Sequence, residues 1–597
     1  MHFLNKLWSL IFCMAYIVSC TSPIDSTSEL TVKDVMDEVI TRLYQEVPAD
    51  RYNTIDDSFM LDFISEDEKQ VLATKYQYFK VNVPVTVSLI RNTSQQTMPF
   101  WMEDAGFKKT DGVVKNDVYE YEVWKKNYKA GWVNLGINGF DMHRTVYFIC
   151  VRPINRNDEL QITEQYPSEY EIITMKKGAF TYHDWSDLKI VEYPAELEGQ
   201  ALFTTVRGRA REAHVKGAFR ETKFPSSIQP DQIMLTWSED PTTSINIQWR
   251  TNPSKESGVA KYWLKGSADT LLAEANKFLM EDRMLYNDRY VHRFTANLKR
   301  LHDGQVYEYM VGAQSENSWS EVRSFKTEEK NQSQFSFIWF GDTHRDPAWA
   351  EMLLEANKKH NETAFYSIAG DMVSTGLYRS EWDELFGYSK DVFSYKPLMP
   401  VLGNHDRQDG LGSWMYYELF DMPKNGPPKV HSESTYSFEY GNALYLMIDS
   451  THPNEDQTDW IEETLKNSSA TWKFVMFHFP PYNFEEPYFD IQEAWCGIFD
   501  TYHVDMVMGG HIHYYMRSKP INNGKVVDSF EKGTVYAVSI GTHGNHDDIG
   551  DEPYAEKRYK KGQFYQHMEI DDNVLSYTAY DKEGSIKDQF TITKPKL

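Results

Sequence analysis

Of 597 residues only four are cysteine. Cys13 and Cys20 fall at the start of the chain, and Cys150 and Cys496 lie far apart in sequence. A disulfide framework is therefore excluded, and both later thiols are expected to be free and buried, with a single bridge between them as the alternative. Basic residues are outnumbered, 62 against 88 acidic, for a net charge of −26. Such an acid excess repels a phosphate backbone, so no nucleic-acid partner is expected. A small anionic substrate stays possible, because a bound metal reverses the local field. Beyond the first twenty residues no run of about 18 uncharged apolar residues occurs, so no further membrane span is expected. Internal repeats and low-complexity tracts are missing too. What is plentiful is apolar and aromatic side chain, 41% and 15% of the residues. That is ample for packed cores, and the length suggests roughly three or four domains.

The chain opens with Lys6 ahead of the apolar run LWSLIFCMAYIV, which is short for a bilayer span. The run closes on Ile17-Val18-Ser19-Cys20, which resembles a bacterial lipobox, where the signal is cut before the cysteine and the thiol takes a lipid. Residues 1–19 are thus expected to be a lipoprotein signal peptide and Cys20 a lipidation site. That would export the protein to the bacterial cell envelope and anchor it to a membrane. An ordinary secretory signal with a cysteine at its cleavage site is the alternative.

Residues 20–69 begin as a small polar tether. A helix should follow, with Thr31 as its cap, Asp34 three residues on, and Val32, Val35, Met36, Val39, Ile40 and Leu43 at helical spacing. Residues 70–228 turn to strand patterns: Val81 to Leu89 alternate, as do Tyr119, Tyr121 and Val123, and 145–151 and 201–208 are further strands. An antiparallel β-sandwich of unknown role is expected there. Its Trp101, Trp124, Trp132 and Trp185 are expected in the core, with sugar stacking as the alternative. Residues 229–327 form a smaller all-β unit, with two alternating strands around a turn at Asp240-Pro241. From 328 to 597 strands alternate with helices such as Trp349–His360 and Asp459–Asn467, which indicates an α/β layered domain.

Five stretches of that last part share one pattern, a hydrophobic strand ending in a polar turn. They are FSFIWFGDTH with Asp342 and His344, YSIAGD with Asp371, LMPVLGNHD with Asn404, His405 and Asp406, KFVMFHFPP with His478, and VDMVMGGHIH with His511 and His513. Each alone is weak, since a lone histidine after a strand is more often structural. Together they place carboxylate, amide and imidazole groups at strand ends, and that donor set suits Mn, Fe or Zn.

The ordered pattern resembles the calcineurin-like metallophosphoesterase superfamily, and 230–251 resembles the opening of the purple acid phosphatase N-terminal domain, a fibronectin-type-III-like unit. The resemblance covers 229–597 and implies a multidomain protein: all-β N-terminal domains, then a β-sandwich core flanked by helices. It implies two divalent ions, Fe, Mn or Zn. One would be held by Asp342, His344, Asp371 and His513, the other by Asp371, Asn404, His478 and His511, with Asp371 bridging. It further implies attack of a metal-bound hydroxide on a phosphate monoester, with His405 protonating the leaving oxygen and Asp406 behind the ligands. Purple acid phosphatases carry a tyrosine three residues after the bridging aspartate; here that position is Ser374, so no tyrosinate ligand is expected. Protein phosphatases carry an aspartate there, which Ser374 also disfavours. His543 stands where a glycine is usual, and either touches substrate or is a plain loop residue. The substrate would be a phosphorylated small molecule or an extracellular polymer. The alternatives are a phosphodiesterase using the same site, and a surface glycan- or partner-binding lipoprotein with a vestigial metal domain.

Overall fold

The computed structural model describes residues 30–142, 145–183, 188–313, 318–407, 411–485, 487–543 and 546–595. The signal segment, Cys20 and Trp185 lie outside the described residues. The first helix, Val32–Glu46, is capped as its sequence suggests: Thr31 and Asp34 close a capping box, and all six spaced apolar residues are buried. It does not stand alone. Helices Asp57–Phe63 and Glu66–Thr74 follow, capped by Asp56 and by a Ser65/Glu68 box. The last of them crosses the expected switch to strands at residue 70, because Val71 and Leu72 face the core from a helix.

A three-stranded and a seven-stranded antiparallel sheet come next. The expected single strand from Val81 to Leu89 is two, Gln77–Val81 and Val85–Asn92, in different sheets. Pro84 sits at the break, where it has no N–H for a ladder and its carbonyl accepts from Ile154. The expected strand at 201–208 stops at Phe203, and Arg207–Glu212 forms a 3-10 turn that buries Arg209, whose guanidinium donates to the Tyr76 carbonyl at 2.6 Å. Trp101 and Trp124 are buried, so both are core residues.

Residues 231–326 build two packed antiparallel sheets. One runs Asp231–Thr236, Ser244–Thr251, Tyr290–Lys299, Asn276–Glu281; the other is centred on Val259–Leu264 and Val306–Ala313. Their core is continuous with that of the next part. That part is a sandwich of a five-stranded and a seven-stranded sheet. In the first, Gln334–Phe340 pairs in parallel with Phe365–Ile368; in the second, Ala443–Met447, Trp472–Met476, Met506–Gly509 and Val535–Val538 are parallel neighbours. Helices Pro347–Lys359, Arg379–Phe393 and Thr458–Asn467 cover the outer faces. Among the described residues no helix is long and apolar enough to cross a membrane.

A buried chain of ion pairs ties three stretches of sequence together. Arg220 pairs with Asp282 at 2.8 Å, and Asp282 also accepts the Arg379 N–H at 3.0 Å. The Arg379 guanidinium reaches Asp288 at 2.9 Å, while Arg250 bonds Asp231 at 2.6 Å and Asp383 at 2.7 Å. Asp383 and the Arg250 and Arg379 side chains are about 1% exposed. Removing one partner of such a pair costs about 3–5 kcal/mol, because the other charge is left buried.

Glu328 sits where the chain passes from the smaller sandwich into the larger. It is buried, and its carboxylate accepts from the Gly441 N–H. Burial pushes this carboxyl up to about 7. A raised carboxyl favours folding while protonated, so its contribution is full below about pH 4.5 and is lost as pH rises through 7. Glu328→Gln is expected to raise the melting temperature at pH 8, by a stabilisation on the order of 2–3 kcal/mol, and to change little at pH 4.5. Melting curves at both pH values check this.

Candidate metal centre

Each motif residue follows a strand. Asp342 lies just past Gln334–Phe340, Asp371 past Phe365–Ile368, His478 past Trp472–Met476, and His511 and His513 past Met506–Gly509. Asn404, His405 and Asp406 open a one-turn helix after residues 398–401, a stretch held to Phe365–Ile368 by the Met399 and Val401 N–H groups. These strands are parallel, so their carboxyl ends face one region, and the short turns there are tight. Asp371, His344 and His511 all have left-handed φ, at 49°, 44° and 70°. Non-glycine residues held there cost on the order of 1–3 kcal/mol each and cluster at functional sites. Gly403 is a glycine because a Cβ would lie 2.1 Å from Asp371 Oδ1.

Two groups form. Asp342, His344 and His513 offer donor atoms that all lie within 4.8 Å of one another, and so do Asp371, His478 and His511. Asp342 Oδ2 is 3.3 Å from His513 Nε2 and 3.8 Å from His344 Nε2. Asp371 Oδ2 is 3.3 Å from His478 Nε2 and 3.9 Å from His344 Nε2, so it faces both groups. Asn404 Oδ1 is 3.0 Å from the same His478 nitrogen. The other His478 ring nitrogen is 2.8 Å from the Ala369 carbonyl, the backbone anchor that fixes a ligating imidazole and leaves its partner nitrogen for an ion.

The donor set fits a pair of cations. Asp342 and Asp371 are 0% and 1% exposed. Asp342 Oδ1 accepts the His511 N–H at 2.6 Å, but its Oδ2 is buried with no hydrogen-bond partner among the described residues. A carboxylate sunk this far needs positive charge beside it. The imidazoles split by environment. Burial pulls His511 down to about 3 and lowers His344, keeping lone pairs available. Burial would lower His478 as well, yet the Asp371 and Asp342 charges outweigh it and push it up to about 9.

His405 takes a different position. Its backbone N–H donates to Asp371 Oδ1 at 2.8 Å, its Nδ1 is 2.8 Å from the Ser374 carbonyl, and its Nε2 is 4.0 Å from Asp371 Oδ2. The side chain is 40% exposed and helps line a cavity of about 680 Å³, with Asp371, His511, Ile512, His513, Glu485 and Asp547. Asp406 lies behind, accepting the Gly403 N–H at 3.0 Å and the Val373 N–H at 3.2 Å. Burial, then the nearby Asp371 charge, pushes its carboxyl up to about 7.

Several residues here carried no sequence signal. Glu381 accepts the Ser374 and Thr375 N–H groups, both at 2.8 Å, and so holds the loop whose carbonyl faces His405. Asp547 accepts the His513 N–H at 2.7 Å. His543 is turned onto Asp346, the cap of helix Pro347–Lys359, and is not among the residues lining the cavity.

Comparison with known proteins finds matches over the two C-terminal parts of the chain. Residues 230–327 match the family profile described as purple acid phosphatase, N-terminal domain, and residues 335–515 match calcineurin-like phosphoesterase. Purple acid phosphatase 21 of Arabidopsis thaliana is 24% identical over 337 residues, covering 52% of this chain and 73% of the relative. A purple acid phosphatase of Glycine max is 23% identical over 326 residues, covering 50% and 68%. The structure of a purple acid phosphatase from yellow lupin (Lupinus luteus) seeds superposes with a TM-score of 0.54 at 14% identity, covering 88% of this chain and 91% of that one. That likeness shows the fold, and its coverage extends into residues before 230. Enzymes of this kind work with a dinuclear metal centre. The chain therefore carries a purple acid phosphatase N-terminal domain at 230–327 and a calcineurin-like phosphoesterase domain at 335–515, the pairing of a metal-dependent phosphoesterase.

Proposed function

We propose that the protein hydrolyses phosphate monoesters with two divalent ions, one held by Asp342, His344, Asp371 and His513 and one by Asp371, Asn404, His478 and His511. The observation that carries this is the position of Asp371 Oδ2, buried between an imidazole of each group. Ions bound there supply Lewis acidity toward phosphoryl oxygens and acidify water. The chain's own residues do the rest. His405, steered by the Ser374 carbonyl, presents Nε2 to the cavity and gives its proton to the leaving oxygen. Asp406 and Glu381 keep the two flanking loops in place. Likeness to purple acid phosphatases favours monoesters, while Ser374 leaves no tyrosinate ligand at the usual position. The leader favours export and lipid attachment at Cys20.

The test is a metal-loaded sample assayed with an aryl phosphate and a bis-aryl phosphate from acid to alkaline pH. The monoester is expected to turn over faster. A faster diester would make the protein a phosphodiesterase, and no hydrolysis of either would favour a binding protein with a vestigial centre. Mass spectrometry of membrane-extracted protein checks the lipid on Cys20.

A further inference from the structure

Three more metal-type side chains meet away from the strand-end centre. His360 ends helix Pro347–Lys359, Glu362 lies in the loop after it, and His567 sits in strand Phe564–Asp571. Their donor atoms all lie within 4.8 Å of one another. The cluster lies apart from the first centre, with Glu362 at the other end of strand Phe365–Ile368 from Asp371. Glu362 precedes strand Phe365–Ile368, whereas Asp371 follows it, and His567 is paired with Ile338, well before Asp342.

We propose that His360, Glu362 and His567 form a separate metal site for a single divalent transition ion of the zinc type. His567 Nε2 is 3.7 Å from Glu362 Oε1, close to the roughly 3.4 Å that two ligands keep on a tetrahedral ion with 2.0–2.1 Å bonds. That nitrogen is buried and has no hydrogen-bond partner among the described residues, in a side chain only 3% exposed. Leaving a buried polar atom unpaired is costly, and an ion would satisfy it. The opposite ring nitrogen faces Glu569, 3.8 Å away, as the outer carboxylate of a ligating histidine does. His360 stacks on His567, with ring centroids 3.8 Å and planes 21° apart, and its Nε2 is 3.4 Å from the Tyr565 hydroxyl, so it joins the ion by turning out of that stack.

The surroundings suit an ion that enters from solvent. Glu362 is 58% exposed and, with Glu569, lines a cleft of about 490 Å³. Two lysines border the cluster, but each has other work: Lys359 lies over the Tyr580 ring, and Lys396 donates to the Asn361 carbonyl at 3.1 Å. Two imidazoles and one carboxylate leave a fourth position open to water, and imidazole selects against Mg²⁺ and Ca²⁺.

Equilibrium dialysis of the full chain against micromolar ZnCl₂, with zinc per chain measured by plasma mass spectrometry, tests this. The parent is expected to hold one zinc more than Glu362→Gln and than His567→Gln, or to bind that zinc more than about tenfold tighter. Because the quantity is a difference, it does not depend on how many ions the strand-end centre holds. Glu362 is exposed, so Glu362→Gln should fold and keep the parent's ester hydrolysis, and it decides the matter if His567→Gln does not fold. Equal zinc content and affinity in the parent and Glu362→Gln would overturn the proposal.

Discussion

Asp371→Asn is expected to leave a folded protein that has lost ions from both positions and hydrolyses phosphate esters more than about 10²-fold more slowly. Losing an outer partner of a ligand already costs 10–100-fold, and Asp371 is a proposed ligand to both ions. Its Oδ1 accepts the His405 N–H at 2.8 Å, which an asparagine oxygen can also do, so the loop should hold its shape. The asparagine has no negative charge to place between His478 and His344. Burial works against that charge, yet the His478 and His405 imidazoles hold the carboxyl well below the usual range. Elemental analysis of the variant decides the point: unchanged content of both metals would refute the bridging assignment.

His405→Ala is expected to do the reverse, keeping metal and losing rate. The imidazole is anchored by its Nδ1 and makes no part of either three-residue donor group. Removing a positioned general acid costs about 10²–10⁴-fold. The loss should be largest for alkyl phosphates, whose leaving oxygen needs a proton, and small for nitrophenyl phosphate, whose leaving group does not. Rates for the two esters, parent against variant, supply the measurement. An equal loss on both would assign His405 to phosphate binding alone.

Much of this was visible in the sequence for a physical reason. A buried parallel strand must be apolar over four or five residues, and the first polar residue after it falls at the sheet's carboxyl edge. Asp342, Asp371, His478 and His511 obey that rule, so their grouping could be read from local pattern. Glu381, Asp547 and the His543–Asp346 pair could not, because they act through backbone groups or loops distant in sequence. His360 and His567 are likewise joined only by the fold. The early helices were missed in part because seven- and nine-residue helices give few turns of periodicity. The break at Pro84 was missed because the valine alternation runs straight through it.

The buried ion-pair chain from Arg220 through Asp282 and Arg379 to Asp383 has a consequence for how this chain could have been assembled. Arg220 comes from the opening region, Asp282 from the smaller sandwich, and Arg379 and Asp383 from the helix that starts eight residues after Asp371. The Arg220 guanidinium also lies over the Tyr378 ring, 3.7 Å from its centre, at the residue before that helix. The opening region is thus not a detachable module. A gene fusion or deletion that exchanged it would leave Asp282 without its Arg220 partner beside the start of helix Arg379–Phe393, unless the incoming piece brought an arginine to the same place. The three parts are bound to vary together.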